Sequence, residues 1–336
     1  MRHYLFFIFL LLVARSSFAQ VDAIDKHIGI EEGLSNNYII DIAIDGNGYA
    51  WVATESGLNR IAGNTCSVFR TNNTSDNRIS GILSNTIRKL YYDRQTDKML
   101  IATEDGLSVY ECKTGRFHNI TTKEGLGFPV INYIANAGNG KVWLILAHGR
   151  AQLMDCDTYE LKTLQTHVKD VRSAMDDGNG HLYLGHQLHD GLTIVDTKTG
   201  HIRNYRHQDN DPQSLPGNNV RCIYQDHLKN IWVGTNMGLA LFDPQGGTFR
   251  RVASAAKTAG HAAAEQLRAE NVYDIKEIKE GELWVACDMG GISVIRLDRV
   301  RTAKSIGYDN SIRIPSTSIN TRCITRDEFG NVWIGN

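Results

Sequence analysis

The residues best placed to do chemistry in this 336-residue chain are four arginines at one recurring spacing. Arg88, Arg172, Arg221 and Arg322 each stand five residues before an aspartate, respectively Asp93, Asp177, Asp226 and Asp327. A guanidinium offers a planar fork of N–H donors that grips a carboxylate or sulfate with two parallel bonds. Arginines at one register of a repeat fall on equivalent strands, so they predict a basic ring that recognises an acidic sugar or a partner domain. The competing reading is that they are inherited with the repeat and neutralised by nearby acids. A second cluster, His181, His186, His189 and Asp190, lies in His-Leu-Tyr-Leu-Gly-His-Gln-Leu-His-Asp. Such a set holds a metal in some proteins, hydrogen-bonds a sugar in a polar loop, or is simply a variable loop. No metal is expected here, and His186, His189 and Asp190 are carried forward as ligand-binding candidates.

Nucleophilic catalysis finds no support. There is no G-x-S-x-G, no Walker loop and no Cys/His set at zinc spacing, and no cofactor is expected. The six cysteines include no C-x-x-C pair. Cys222 and Cys323 each precede a tryptophan by ten residues, two repeats apart, too far to bridge. The thiols are therefore expected to be mostly free and packed in the core.

The element that positions these residues is a repeat. Trp51, Trp143, Trp232, Trp284 and Trp333 share one motif position, which Leu100 and Tyr183 fill in two further copies. A period of roughly 40–50 residues marks a blade or solenoid array. Six residues before the aromatic comes an acid, as at Asp45, Asp177, Asp226 and Asp327; a glycine usually stands three before it and another six after it. An apolar, β-branched run leads into Asp-x-x-Gly, which is hairpin-turn chemistry. The aromatic opens a second strand, the later glycine turns into a third, and a fourth carries Phe69, Phe117, Tyr205 or Phe249. Four short antiparallel strands per repeat predict an all-β chain, a seven-bladed β-propeller with its last blade truncated at the C-terminus. The aromatics should pack between blades. No repeat shows the apolar stripe of a helical solenoid. The Ala-rich stretch 255–269 reads as an insertion loop.

Composition and the chain ends bound the rest. Thirty-six basic residues balance 37 acidic ones, which argues against a nucleic-acid-coating surface. Residues 1–19 read as a secretory signal: a short basic start, an apolar run from Tyr4 to Ala14 and a cleavage site at Ser17-Phe18-Ala19. The propeller then occupies 20–336. The seventh copy stops within its second strand at Asn336, while Lys26–Ile30 resembles an outer strand. The expectation is an open ring belonging to a longer protein.

The repeat resembles the two-component regulator propeller repeat. The resemblance rests on Gly33-Leu34-Ser35-Asn36-Asn37, on Asp45-x-x-Gly48-x-x-Trp51-x-x-Thr54-x-x-Gly57-Leu58, and on the copy from Asp226 through Trp232-Val233-Gly234-Thr235 to Gly238-Leu239. Ser214-Leu215-Pro216 before Asn218 is similar to the family's inter-blade linker. The resemblance extends over about residues 26–336. Repeat three departs most, with Ala137 at the acid position and Leu146 at the threonine position. Membership implies the periplasmic sensor of a hybrid two-component system. It also implies a second propeller, a β-sandwich, a membrane helix in the inner membrane and a cytoplasmic histidine kinase in the parent chain. The signal so implied is an oligosaccharide from a glycan, controlling transcription of glycan-use genes. Partners would be that ligand, the remaining sensor domains and a second copy in a homodimer, with no nucleic acid bound by this segment. Kinase activity would belong to the parent. Two other classes stay open: an exported propeller enzyme acting on polysaccharide, and a protein-docking propeller. An enzyme would turn a glycan over, whereas a sensor would bind it and leave it intact.

Overall fold

The computed structural model describes residues 26–71, 81–164, 168–252, 270–288, 291–297, 307–308 and 320–336. The signal segment 1–19 and the Ala-rich stretch 255–269 lie outside the described residues. Six four-stranded antiparallel sheets follow one another along the chain. Their innermost strands are Ile39–Ile44, Ile87–Asp93, Ile131–Gly138, Val171–Asp176, Val220–Gln225 and Val272–Lys279. Strand order within each sheet follows the sequence, so each is an up-and-down blade.

The expectation of seven blades is corrected to six. The seventh copy of the motif yields only a two-stranded hairpin, Cys323–Arg326 paired with Val332–Gly335. Counting tryptophans counts second strands, and a second strand does not guarantee a third and a fourth. Lys26–Ile30, expected as an outer strand, forms none; Ile30–Glu32 is a single turn of 3-10 helix. The hairpin sits between blade six and blade one. Asp274 of blade six accepts the Ile324 N–H at 2.9 Å, and the Ile39 N–H of blade one donates to the Asn336 carbonyl at 3.2 Å. The inner strands therefore run on around the axis through the hairpin.

The core is divided among the seams between neighbouring sheets. Trp51 packs with Leu90, Met99 and Ile101 of blade two, and Trp143 with Ala174, Leu182 and Leu184 of blade four. Tyr183 faces Ile223 and Val233, Trp232 faces Ile275 and Val285, and Trp284 faces Ile324 of the hairpin. Trp333 lies beside Ile39, Ala50 and Val52 of blade one. Each aromatic thus fills the gap to the next sheet.

The acid of the turn has a second duty. The Asp45 Oδ1 accepts the N–H groups of Asn47 and Tyr49, which closes the turn, while Oδ2 accepts the Trp51 indole N–H at 2.8 Å. Asp226 and Trp232 repeat the bond at 2.8 Å, and Asp327 and Trp333 at 3.1 Å. Blade three has Ala137 at the acid position, and Trp143 reaches instead to Asp176 of blade four at 2.7 Å. In blade four the aromatic is Tyr183, and Asp177 holds His181 Nδ1 at 2.9 Å. The acid spacing is thus set both by the turn and by a buried donor that needs an acceptor.

A glycine packs tightly against a β-branched side chain of the next blade at three equivalent seams. A β-carbon on Gly185, Gly234 or Gly335 would come within 2.6–2.7 Å of Val220, Val272 or Ile39, respectively. That the hairpin meets blade one with the spacing seen between complete blades shows that the inner ring closes there. All six cysteines are free thiols. Burial pushes Cys222 and Cys323 well above the ordinary thiol range.

Candidate functional site

The arginine position is a β-bulge. In blade one Ile39 pairs with Thr54 and Asp41 with Ala53, leaving Ile40 without a cross-strand partner. The same register shift skips Arg88, Arg172, Arg221 and Tyr273 on the inner strands of blades two, four, five and six. A bulge re-aims a side chain that the ladder would otherwise hold. Here the skipped residues, with Arg322 of the hairpin, all line one cavity of about 820 Å³ at the mouth of the central channel. Sequence spacing located the position; the bulge that turns it into a mouth was not legible, because no residue type is reserved for it.

The four arginines differ in their surroundings. Arg88 Nη2 meets Glu104 Oε1 at 2.6 Å, with both side chains exposed. Arg172, Arg221 and Arg322 have no acid partner among the described residues. The Arg221 guanidinium stacks over Tyr273 at 4.4 Å, and its buried Nε lacks a hydrogen-bond partner. The Arg322 guanidinium lies 4.4 Å above Tyr38 and 5.2 Å from Tyr273. Stacking fixes the plane of a guanidinium and leaves its N–H edge available. Burial, together with Arg221 and Arg322, lowers the Arg172 pKa from its usual value. Three cations without a bonded acid therefore crowd one mouth, whose wall also holds Glu55 and Asp170.

The next residue along each inner strand forms a different layer. Lys89 Nζ lies 2.8 Å from Asp41 Oδ2 and 5.2 Å from the Tyr133 ring centre. Burial opposes its charge, but Asp41, Tyr133 and Asp274 together outweigh burial and the Lys89 pKa is raised. Asp274 likewise raises Lys276. Asp41 also accepts the Leu90 N–H of the neighbouring inner strand at 2.8 Å. Below the arginines the channel is thus a paired layer of charge that ties blade to blade.

The histidine cluster is not one site. His186 is buried; its Nδ1 meets the Lys169 carbonyl at 2.6 Å and its Nε2 meets Thr193 Oγ1 at 2.7 Å. It stands where Thr54, Thr103 and Thr235 stand in other blades, and burial lowers its pKa. Those threonines donate to the carbonyls of Gly57, Gly106 and Gly238, whereas in blade four it is the His186 backbone N–H that donates to the Gly191 carbonyl, at 3.0 Å. Asp190 is ion-paired with Arg206. His189 lines a second cavity of about 650 Å³ between blades four and five. The two cavities adjoin, with Gln187 in the wall of both. Sequence reading missed Gln187, Asn219 and Asn236 there, since isolated amides carry no spacing signal.

An all-β propeller with its inner strands opening on a charged mouth is the class that fold and site define. Residues 33–56 and 214–237 match the model of the two component regulator propeller, so the chain carries repeats of that family. None of the curated proteins matches. Among solved structures the chain is similar to the extracellular domain of a protein assigned as a hybrid two component system of B. thetaiotaomicron. The identity is 27% and the TM-score 0.74, over 92% of this chain and 40% of that one. The chain thus spans less than half the length of that structure. Streptogramin B lyase shares the fold at 15% identity and a TM-score of 0.62, over 90% of this chain and 92% of the lyase. Virginiamycin B lyase from Staphylococcus aureus does so at 13% and 0.58, over 86% and 88%. Among the described residues no helix is long and apolar enough to cross a membrane.

Proposed function

We propose that this propeller is the ligand-sensing periplasmic part of a hybrid two-component system and that it binds a glycan-derived oligosaccharide at the channel mouth. The likeness to an extracellular two-component domain supports the sensing role. One observation carries the ligand class: Arg172, Arg221 and Arg322 converge on one cavity and, among the described residues, none of them is ion-paired, although Glu55 and Asp170 stand in the same wall. A carboxylate or sulfate on the sugar is the complementary group. Binding would be signalled to a histidine kinase in the parent chain, which would control genes for use of the glycan. Calorimetry with uronate- and sulfate-bearing oligosaccharides tests this. Replacing Arg221 and Arg322 together with Gln should weaken binding at least tenfold without loss of fold, and wild-type affinity should fall as salt rises. Unchanged affinity in that variant, a preference for neutral glycans, or cleavage of the bound sugar would overturn the proposal.

A further inference from the structure

One backbone position recurs on the face that bears the mouth. It follows the second strand, and its N–H donates to the carbonyl just before the inner strand of the same blade. Glu55 bonds Tyr38, Glu104 bonds Thr86, Ala147 bonds Val130, Gln187 bonds Asp170, Asn236 bonds Asn219 and Asp288 bonds Asn271, all at 2.8–3.3 Å. The six residues are structural equivalents, yet their charges divide the face. Blades one, two and six carry an acid there; blades three, four and five carry alanine or an amide.

The division bears directly on the arginines. In blade two this position supplies Glu104, which neutralises the bulge residue Arg88. In blade six it supplies Asp288, which accepts from Asn271 at 2.9 Å and from the Tyr273 hydroxyl at 3.5 Å. In blades four and five the bulge residue is again arginine, Arg172 or Arg221, but the acid is replaced by Gln187 or Asn236. The arginines without a bonded acid thus stand in the blades where this position carries an amide; Asp170, which also lines the mouth, pairs with neither of them.

The same two amides border the cavity between blades four and five. Its rim includes Leu188 and Met237, exposed by 57% and 44%. Arg251, though it lines the cavity, is consumed in holding the linker between the blades: it donates to the carbonyls of Asp211, Ser214 and Leu215. The linker is also tied to both blades, since Asn218 accepts the Gly191 N–H and Asn219 the Asn236 N–H. The walls are therefore built in advance of any ligand. His189, His207 and Glu270 complete the polar wall. Amides that both donate and accept, beside apolar side chains, suit an uncharged polyhydroxylated ring, with its hydroxyls on the amides and its C–H face on the methionine and leucine.

We infer that Gln187 and Asn236 determine the specificity of this site. By withholding the acid they free Arg172 and Arg221 for an anionic sugar residue, and with Leu188 and Met237 they seat an uncharged neighbouring sugar between blades four and five. The inference rests on the ligand-sensing reading above and narrows its ligand to an oligosaccharide with an acidic tip and a neutral body.

The test returns the acid. Gln187→Glu with Asn236→Glu recreates the arrangement of Arg88 and Glu104, and Gln187→Glu with the isosteric Asn236→Asp serves as a second variant. The probes are a lone uronic acid, a lone sulfated hexose, and the disaccharide that each forms with a neutral hexose. Wild-type chain should bind a disaccharide at least tenfold more tightly than its lone acidic sugar. Both acid-restoring variants should weaken all anionic probes at least tenfold while keeping the wild-type melting temperature. Leu188→Ala with Met237→Ala should abolish the disaccharide's advantage and leave the affinity for the lone acidic sugar unchanged. Wild-type affinity in the acid-restoring variants, or a disaccharide advantage that survives the loss of Leu188 and Met237, would overturn the inference. Failure of the arginine mouth itself reads out separately, as unchanged binding when Arg221 and Arg322 are both replaced by Gln.

Discussion

Trp232→Phe tests how the turn acid and the aromatic cooperate. Volume alone makes phenylalanine a mild replacement. The structure argues otherwise, because Trp232 is fully buried and its indole N–H donates at 2.8 Å to Asp226, itself only 2% exposed. Asp226 keeps its bonds to the backbone N–H and side-chain amide of Asn230, so its carboxylate loses one partner of three. Loss of a hydrogen bond to a charged group costs about 1.5–3 kcal/mol. The smaller ring leaves a cavity worth about 1 kcal/mol more. The expected loss is therefore about 2.5–4 kcal/mol, approaching the roughly 3–5 kcal/mol expected of Trp232→Ala. Urea unfolding followed by far-ultraviolet circular dichroism measures both, free of the lost indole fluorescence. A double-mutant cycle with Asp226→Ala should return a coupling of about 1.5–3 kcal/mol. A cost below about 1 kcal/mol for Trp232→Phe, or a coupling near zero, would refute the reasoning and leave the tryptophan as plain filler.

Three further outcomes are expected. His186 has its folded-state pKa lowered by burial, so the unfolded chain binds the extra proton first; stability should fall as pH drops below about 6.5, and His186→Thr should flatten that part of the pH profile in urea titrations. Gly335→Ala would press a methyl to 2.4 Å from Cys323 Sγ and 2.7 Å from Ile39, and should cost about 1–3 kcal/mol by overpacking; hydrogen exchange should quicken first along Ile39–Ile44, and uniform exchange would count against closure of the ring at that seam. A thiol reagent should modify Cys66, which is partly exposed, well before the buried Cys222 and Cys323, as peptide mapping of labelled protein would show.

The blade pattern was legible because each signal has a local cause. Asp226, Trp232 and Gly238 mark a turn, a seam and a second turn; the two turns act within a few residues of themselves, and the seam residue recurs at one position of every repeat even though it packs on the next blade. The blade count was not legible in the same way. Trp333 announces a second strand as clearly as Trp232 does, and counting tryptophans makes each a blade, whereas the seventh copy contributes only a hairpin. The candidate site divides similarly. Spacing brought Arg172, Arg221 and Arg322 to one register, and the structure brings them to one mouth. The separate fate of Arg88 depends on Glu104, sixteen residues away, and is a tertiary fact. Spacing grouped His186, His189 and Asp190 by proximity in sequence, whereas a strand end and a loop send them to a buried bond, a cavity wall and an ion pair. Gln187 and Asn236 gave no signal alone; their meaning lies in the acids that other blades carry at the same place.

The bulge on each inner strand has a consequence for how such a protein can diversify. A residue skipped by the ladder has no partner across the strand, so its replacement leaves the neighbouring register intact. Ile40, Asn132 and Tyr273 differ from one another and from the arginines of blades two, four and five in size, charge and shape, yet each occupies a blade of the same geometry. The scaffold therefore behaves like a keyboard whose keys can be exchanged singly without retuning the frame. Recognition can drift toward a new ligand by point substitutions at these places, while the indole seams, which tolerate little, hold the architecture fixed.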